Sequence, residues 1–198
     1  MAITAEQVRE LREKTGAGML ECKKALEKNG GDVAAAMDHL RKVGLASAGK
    51  RAGRQTQEGL VEAYIHPGGK IGVLVEVNSE TDFVARTDPF KELVRDIAMQ
   101  VAAAEPLAVT REDVPEELVA KEKEILMAQV ADLKKPENVV EKIVLGKMEK
   151  FYSEVALMEQ AYVKEPKQKV EDRVKEAIAA VGENINVRRF VRFKLGAD

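Results

Sequence analysis

The chain has 198 residues, 45% of them apolar and 33% charged, which suits one good-sized core with a small accessory domain, or two modest domains. Its 32 Lys and Arg against 34 Asp and Glu leave a formal net charge of -2, weighing against a strongly basic nucleic-acid binder and against a polybasic membrane adapter. A single cysteine, two histidines and no tryptophan exclude an internal disulfide and a cysteine-built zinc site, argue against histidine-based catalysis, and leave little on which to stack bases or sugars.

The N-terminal stretch "MAITAEQVRELREKTG" is charged and amphipathic, without an apolar signal-peptide core, and no apolar run reaches transmembrane length. With the lone cysteine, this makes a reducing, cytoplasmic setting the expectation. Thr4 followed by Gln7 is a capping-box pattern, Val8 and Leu11 supply an apolar stripe, and Thr15-Gly16 ends the first helix. "GMLECKKALEKNGG" predicts a second helix, with Met19, Leu20, Cys22 (or Lys23) and Leu26 inward. Asp32 caps a third, "VAAAMDHLRKVG", in which Val33, Met37 and Leu40 share a face. Three short helices with glycine turns make a small helical module over residues 1–46, of a kind that usually docks on a partner. "ASAGKRAGRQTQEG" is basic and glycine-punctuated, and reads as a linker or weak helix over residues 47–57.

Period-two patterning begins at Leu60. Val61, Ala63 and Ile65 alternate with Leu60, Glu62, Tyr64 and His66; "PGGK" turns the chain; and Ile71, Val73, Val75 and Val77 take one face of the return strand. "SETDFVARTDPF" follows, with Phe83 beside Asp82. Either the ring folds into the chain's own core, which residue pattern alone favours, or it is held out to enter something else. Asp88-Pro89 opens a helix with Phe90, Leu93, Val94, Ile97 and Val101 on its buried stripe. This hairpin and helix form the first part of an α+β core, residues 58–112.

Two helices, Pro115 to Leu133 and Pro136 to Tyr152, are joined by the tight "KKPE" turn and so lie antiparallel as a helical hairpin or short coiled coil, residues 113–153. Leu118, Val119, Leu126, Val130 and Leu133 are expected at its seam, against Val140, Val144, Met148, Phe151 and Val155. The last part of the core, residues 154–198, holds a helix over Gln168–Val181 and a strand. In that strand Ile185, Val187, Val191, Phe193 and Leu195 alternate with Asn184, Asn186, Arg188, Arg192 and Lys194, while Arg189 and Phe190 break the pattern. A sheet with three identifiable strands is small, and a second copy is one way to cover its edges.

"TGAGM" lacks the preceding strand and later lysine of a phosphate loop, so helix-turn chemistry is preferred. His39 and His66 have no second ligand at suitable spacing, and Cys22 has no local histidine. Arg188, Arg189, Arg192 and Lys194 suit RNA phosphates, but alternating basic residues on a strand are more often a solvated or protein-docking face. No catalytic constellation emerges, and neither a metal nor a cofactor site does.

"LREKTGAGMLECKKAL" (Leu11–Leu26), "SETDFVAR" (Ser79–Arg86), "KPENVVEKIVLGKMEKF" and "GENINVRRFVRF" (Gly182–Phe193) occur in order. Together, and across essentially the whole chain, they closely resemble the bacterial elongation factor Ts family, the nucleotide exchange factors for elongation factor Tu. The resemblance implies an α+β protein with an N-terminal ubiquitin-associated-like three-helix module, a small antiparallel-sheet core and a projecting antiparallel coiled-coil hairpin. It implies that Thr81, Asp82, Phe83 and Val84 enter beside the Mg²⁺ and phosphate site of the GDP-bound partner, and that Leu11, Arg12, Met19, Lys23 and Lys24 help the module dock. The partner would be held in its GDP-bound and nucleotide-free forms. Longer family members carry the core unit twice. This chain has it once, so a homodimer that rebuilds the doubled core is expected. No direct nucleic-acid or membrane partner and no enzymatic activity of the chain's own are implied. Ser79 and Val191 stand where relatives place cysteine, which leaves Cys22 alone for any covalent dimer link. The rival readings are an adaptor that docks through the helical module alone and tolerates loss of Phe83, and a nucleic-acid binder that depends on the arginine cluster and weakens steeply with salt.

Overall fold

The structure, a computed structural model, describes residues 3–131 and 136–197. Its chain divides into two units. One comprises Met1–Val61, Val77–Val94 and Asp172–Asn186, the other Glu62–Glu76, Arg95–Glu171 and Val187–Asp198. The protein is α+β, with a small antiparallel sheet.

The first unit opens with helices α1 (Ala5–Thr15), α2 (Met19–Lys28) and α3 (Val33–Gly49). The predicted capping box is present: the Gln7 amide donates to Thr4 Oγ1 at 3.2 Å, and the Thr4 amide to Gln7 Oε1 at 3.0 Å. Gly16, at φ 67°, stops α1 by donating its amide to the Arg12 carbonyl at 2.8 Å. That is the helix-turn role for "TGAGM". The Asp32 carboxylate caps α3 at the Ala35 amide, 3.1 Å away. Val8, Leu11, Cys22, Ala25, Leu26 and Ala36 form the module's core, with Val33, Met37 and Leu40 half-buried against it.

One expectation fails here. Met19 and Leu20 point outward, 48% and 64% exposed, because the inward stripe of α2 falls on Cys22, Ala25 and Leu26, spaced i, i+3, i+4. Of the linker and weak-helix readings of the next stretch, its first residues take the helical one: α3 continues to Gly49, since alanines 46 and 48 sustain the helix. Within the same unit α3 meets helix α8 (Val170–Val181). A Cβ added at Gly44 would lie 2.9 Å from Ala179 Cβ, and Arg41 Nε pairs with Glu176 Oε1 at 3.0 Å.

Strands β1 (Glu58–Ile65), β2 (Ile71–Ser79) and β5 (Ile185–Lys194), whose residues are shared between the units, form the antiparallel sheet in the order β1-β2-β5. Gly59, at φ 144°, lets β1 start close beside β2, where a Cβ would sit 2.2 Å from the Val77 carbonyl oxygen. The His66 amide donates to the Ile71 carbonyl at 2.9 Å around the predicted "PGGK" turn. Val73, Val75 and Val77 are buried as expected, but Val61 and Ile65 are 69% and 65% exposed while Leu60, Glu62 and Tyr64 are half-buried. Helix α5 (Asp88–Ala104) keeps its whole predicted stripe, with Phe90, Leu93, Val94, Ile97 and Val101 all at 0% exposure.

In the second unit, α6 (Glu116–Ala131) and α7 (Glu137–Val155) pack through Leu126, Val130, Val144 and Met148, flanked by Val119, Val140, Phe151 and Tyr152. Leu118 is exposed, outside that seam. Leu133 and the start of the "KKPE" turn lie outside the described residues. Buried Gln100 and Gln160 share a hydrogen bond of 3.1 Å. Gln100 Oε1 also accepts from the Val163 amide at 2.8 Å, beside a short hairpin of β3 (Ala161–Tyr162) and β4 (Glu165–Lys169) that the polar sequence did not signal.

β5 departs from its expected alternation. Ile185 and Val187 are buried, but the pattern slips by one at Arg188–Arg189, so Val191, Phe193 and Leu195 emerge 43%, 66% and 76% exposed. The physical reason is Arg192, which turns inward. Its Nη1 pairs with Glu105 Oε1 at 2.8 Å, and its Nη2 donates to the Ala102 carbonyl at 3.3 Å, at the end of α5.

Candidate functional site

Strand β2 ends at Ser79, which is fully buried and donates its hydroxyl to the Thr81 carbonyl at 2.9 Å. Thr81 is extended (φ -128°, ψ 156°) and caps a one-turn helix, α4 (Asp82–Ala85), accepting from the Val84 amide at 3.4 Å. The Thr87 hydroxyl closes the far end on the Val84 carbonyl at 2.7 Å.

One helical turn divides these side chains into two faces. Val84 and Ala85 are each 4% exposed and anchor the turn, so Asp82 and Phe83 face outward. Phe83 is 76% exposed. The plain reading of the ring as a core residue therefore fails: its neighbour Val84 takes the inward position instead. Holding a phenylalanine out of the core forgoes roughly 1.5–3 kcal/mol of burial. Asp82 Oδ2 is paired with Arg86 Nη2 at 2.7 Å, one turn on, with both side chains mostly exposed.

Of the docking candidates, Leu11 is enclosed in the core of its own module at 0% exposure, because it lies three residues from Val8 on the inward stripe of α1. It holds the helices together and presents no surface. Arg12, Met19, Lys23 and Lys24 are exposed. On α2, Met19 and Lys23 are one turn apart, as are Leu20 and Lys24, so an apolar pair and a cationic pair share a strip. Leu20 was misplaced inward by sequence reasoning, since its apolar character outweighed its position off the Cys22–Leu26 stripe.

Of the basic cluster, Arg188, Arg189 and Lys194 are exposed and only Arg192 turns inward. Arg189 Nε binds Glu76 Oε2 at 2.7 Å, and Arg192 is tucked against α5. Among the described residues, no group of three or more His, Cys, Asp or Glu is placed to hold a metal, and no helix is long and apolar enough to cross a membrane. Sequence reasoning did not single out Glu183 or Arg111. Glu183 contacts Thr81 from 102 positions away, and nothing local in "GENI" announces such a partner.

The chain matches the family model described as "Elongation factor TS" over residues 5–197. It is 61% identical to the elongation factor Ts of Carboxydothermus hydrogenoformans over 194 residues, covering 98% of this chain and 89% of that protein. It is 62% identical to that of Anaeromyxobacter dehalogenans, again over 98% of this chain and 89% of the relative. With that of Moorella thermoacetica it shares 59% identity, over 98% of this chain and 96% of the relative.

Proposed function

The chain belongs to the elongation factor Ts family, and from that premise we propose that it is a guanine-nucleotide exchange factor for elongation factor Tu, releasing GDP by inserting Asp82 and Phe83 beside the partner's Mg²⁺ and phosphate site. The observation that carries the reading is Phe83, held 76% exposed on a turn whose other face is anchored in the protein. A GTPase holds GDP largely through phosphate-loop amides and a bridging Mg²⁺. A ring pushed between its elements displaces the groups that position the ion, and the Asp82 carboxylate competes for nearby donors. Burying the ring on docking supplies roughly 1.5–3 kcal/mol. That is comparable with the coupling of about 1–3 kcal/mol typical of two linked sites. Coupling is reciprocal: GDP loosens the factor as much as the factor loosens GDP. The chain then speeds exchange without choosing the product, and performs no covalent chemistry itself.

On this reading the α1–α3 module is ubiquitin-associated-like and docks on the partner through Arg12, Met19, Leu20, Lys23 and Lys24. The α6–α7 pair is a coiled-coil arm. The cell's cytoplasm is the place of action. A homodimer forms through the outer sheet face, where Ile65, Leu74, Val191, Phe193 and Leu195 are exposed.

The test is release of a fluorescent GDP analogue from elongation factor Tu. Wild type is expected to accelerate it, and Phe83→Ala to lose most of that acceleration while still binding. A wild-type protein that binds and leaves release unchanged would favour the adaptor reading instead.

A further inference from the structure

A single-turn helix has no stability of its own, because the nucleus of a helix is unfavourable and needs several further turns to be repaid. Yet α4 must hold a large apolar ring in water rather than let it collapse inward. Burial of Val84 and Ala85 fixes one side of the turn; its N-terminal side is fixed by a residue distant in the chain. Gly182, at φ 81°, ends α8 by donating its amide to the Ile178 carbonyl at 2.9 Å, and so delivers Glu183 to Thr81. Glu183 Oε2 accepts from the Thr81 amide at 3.0 Å and Oε1 from the Thr81 hydroxyl at 2.7 Å. The next residue reinforces the junction. The Asn184 amide donates to Glu80 Oε1 at 2.6 Å, and Asn184 Nδ2, nearly buried, donates to the Arg54 carbonyl at 2.9 Å. Arg54 Nη1 in turn reaches Glu80 Oε1 at 3.4 Å. Three separate segments, at Arg54, at Ser79–Thr81 and at Gly182–Asn184, thus meet at the root of the turn, and the carboxylate of Glu183 binds both polar groups that orient Thr81.

We infer that Glu183 is a positioning residue for exchange: its two-point grip on Thr81 presets the turn that presents Phe83, and Thr81 serves as the handle of that turn rather than as a contact to the partner. The inference rests on the exchange reading above. Pre-organisation acts on the rate of a positioned step more than on docking made elsewhere. Loss of the grip therefore lowers the maximal rate of GDP release and leaves the concentration of factor giving half that rate nearly unchanged. Charge-assisted hydrogen bonds are the strong ones, and losing this pair corresponds to a fall of about tenfold in the maximal rate.

The experiment measures full titrations of fluorescent GDP-analogue release with the full-length chain carrying Glu183→Ala, Glu183→Gln, Thr81→Val or Thr81→Ser. In parallel, it follows amide hydrogen exchange of the free protein over residues 81–85 and over α1–α3. The inference predicts a maximal rate lowered about tenfold by Glu183→Ala, with half-saturation within about twofold of wild type, and faster amide exchange confined to the turn. Glu183→Gln, which keeps one acceptor, falls between, and serves in place of the alanine variant should that one not fold. Thr81→Ser, which keeps both donors, stays near wild type. Thr81→Val added to Glu183→Ala costs less than it does alone, because the two share one interaction. Unchanged rate and unchanged amide protection in Glu183→Ala would overturn the inference, as would a loss seen only in half-saturation, which would make Glu183 a docking residue. If wild type itself fails to accelerate release, the exchange reading falls, and the grip on the turn is then judged by amide exchange alone.

Discussion

Two phenylalanines seven positions apart have opposite fates. Phe83 is 76% exposed and Phe90 is fully enclosed. Truncating Phe90 to alanine removes a packed ring and leaves a cavity, so Phe90→Ala is expected to cost about 3–5 kcal/mol in a urea unfolding experiment. Phe83→Ala removes little folded-state contact and is expected to stay within about 0.5 kcal/mol of wild type in the same assay. A protein that loses exchange activity without losing stability separates functional exposure from structure, whereas a large destabilisation by Phe83→Ala would place the ring in the protein's own packing. The fate of Phe90 was legible in the sequence, because it opens a stripe repeated at Leu93, Val94, Ile97 and Val101. That of Phe83 was not: in a four-residue turn no period exists to show which face is inward, and residue pattern alone favoured the core. The family motifs supplied the position. Leu11 is the opposite case: its spacing from Val8 already pointed inward, and its place in a family motif wrongly suggested surface.

At the scale of elements, caps and stripes were the best guides. Thr4, Asp32 and Gly16 mark helix ends where predicted, because their signals are local and their hydrogen bonds close within a few residues. Interactions made at a distance were invisible, and Arg111 is the clearest case. It lies in a one-turn 3-10 helix (Arg111–Asp113), where it grips the second half of α7. Its Nη1 and Nη2 bind the Glu149 carboxylate at 3.0 and 2.9 Å, and Nε and Nη2 bind Glu159 at 2.6 and 2.7 Å. The guanidinium also lies 4.7 Å from the centre of the Tyr152 ring. The guanidinium holds the Glu149 carboxyl below the usual carboxylate range by hydrogen bonding to it, and the two acids raise the arginine's own affinity for its proton. A carboxyl lowered on folding adds stability above its unfolded value, and that contribution disappears as the pH falls through the lowered one. Arg111→Ala is therefore expected to lower stability by about 1–2 kcal/mol near neutral pH, chiefly through the half-buried Glu159 left without its cation. The part of the Tm gap that comes from Glu149 should shrink as the pH falls from the usual carboxylate range, about pH 4, through that residue's lowered value. A gap that stays constant through the acid range would mean that Arg111 acts by packing on Tyr152 rather than by charge.

At the scale of the whole molecule, the alternation that failed in β5 exposes what the monomer leaves uncovered. Within the second unit, Ile65 on β1, Leu74 on β2, and Val191, Phe193 and Leu195 on and just beyond β5 are 65%, 44%, 43%, 66% and 76% exposed. They share one side of the sheet. A Cβ at Gly72 would meet Ile65 Cδ1 at 3.1 Å, the Leu195 amide donates to the Lys70 carbonyl at 2.8 Å, and Arg189 reaches across to Glu76. An apolar sheet face of this kind on a charged protein is suited to a self-complementary contact, in which each copy supplies the same side chains. Given their present partial burial, each contributes roughly 1–2 kcal/mol on full coverage. Ten of them across a two-fold interface, five from each copy, then offset the cost of association, about 4–15 kcal/mol. Light scattering of the wild-type protein should give a dimer mass that falls only on strong dilution. Phe193→Asp and Leu74→Asp, which place a carboxylate at a position already open to water, should each yield a folded monomer. Because the Thr81–Ala85 turn belongs to the other unit and draws its support from Glu183, Glu80 and Asn184, such a monomer should keep the wild-type rate of amide hydrogen exchange over residues 81–85. A wild-type mass that is monomeric at every concentration would leave the outer face to a different occupant and remove the doubled core from the account.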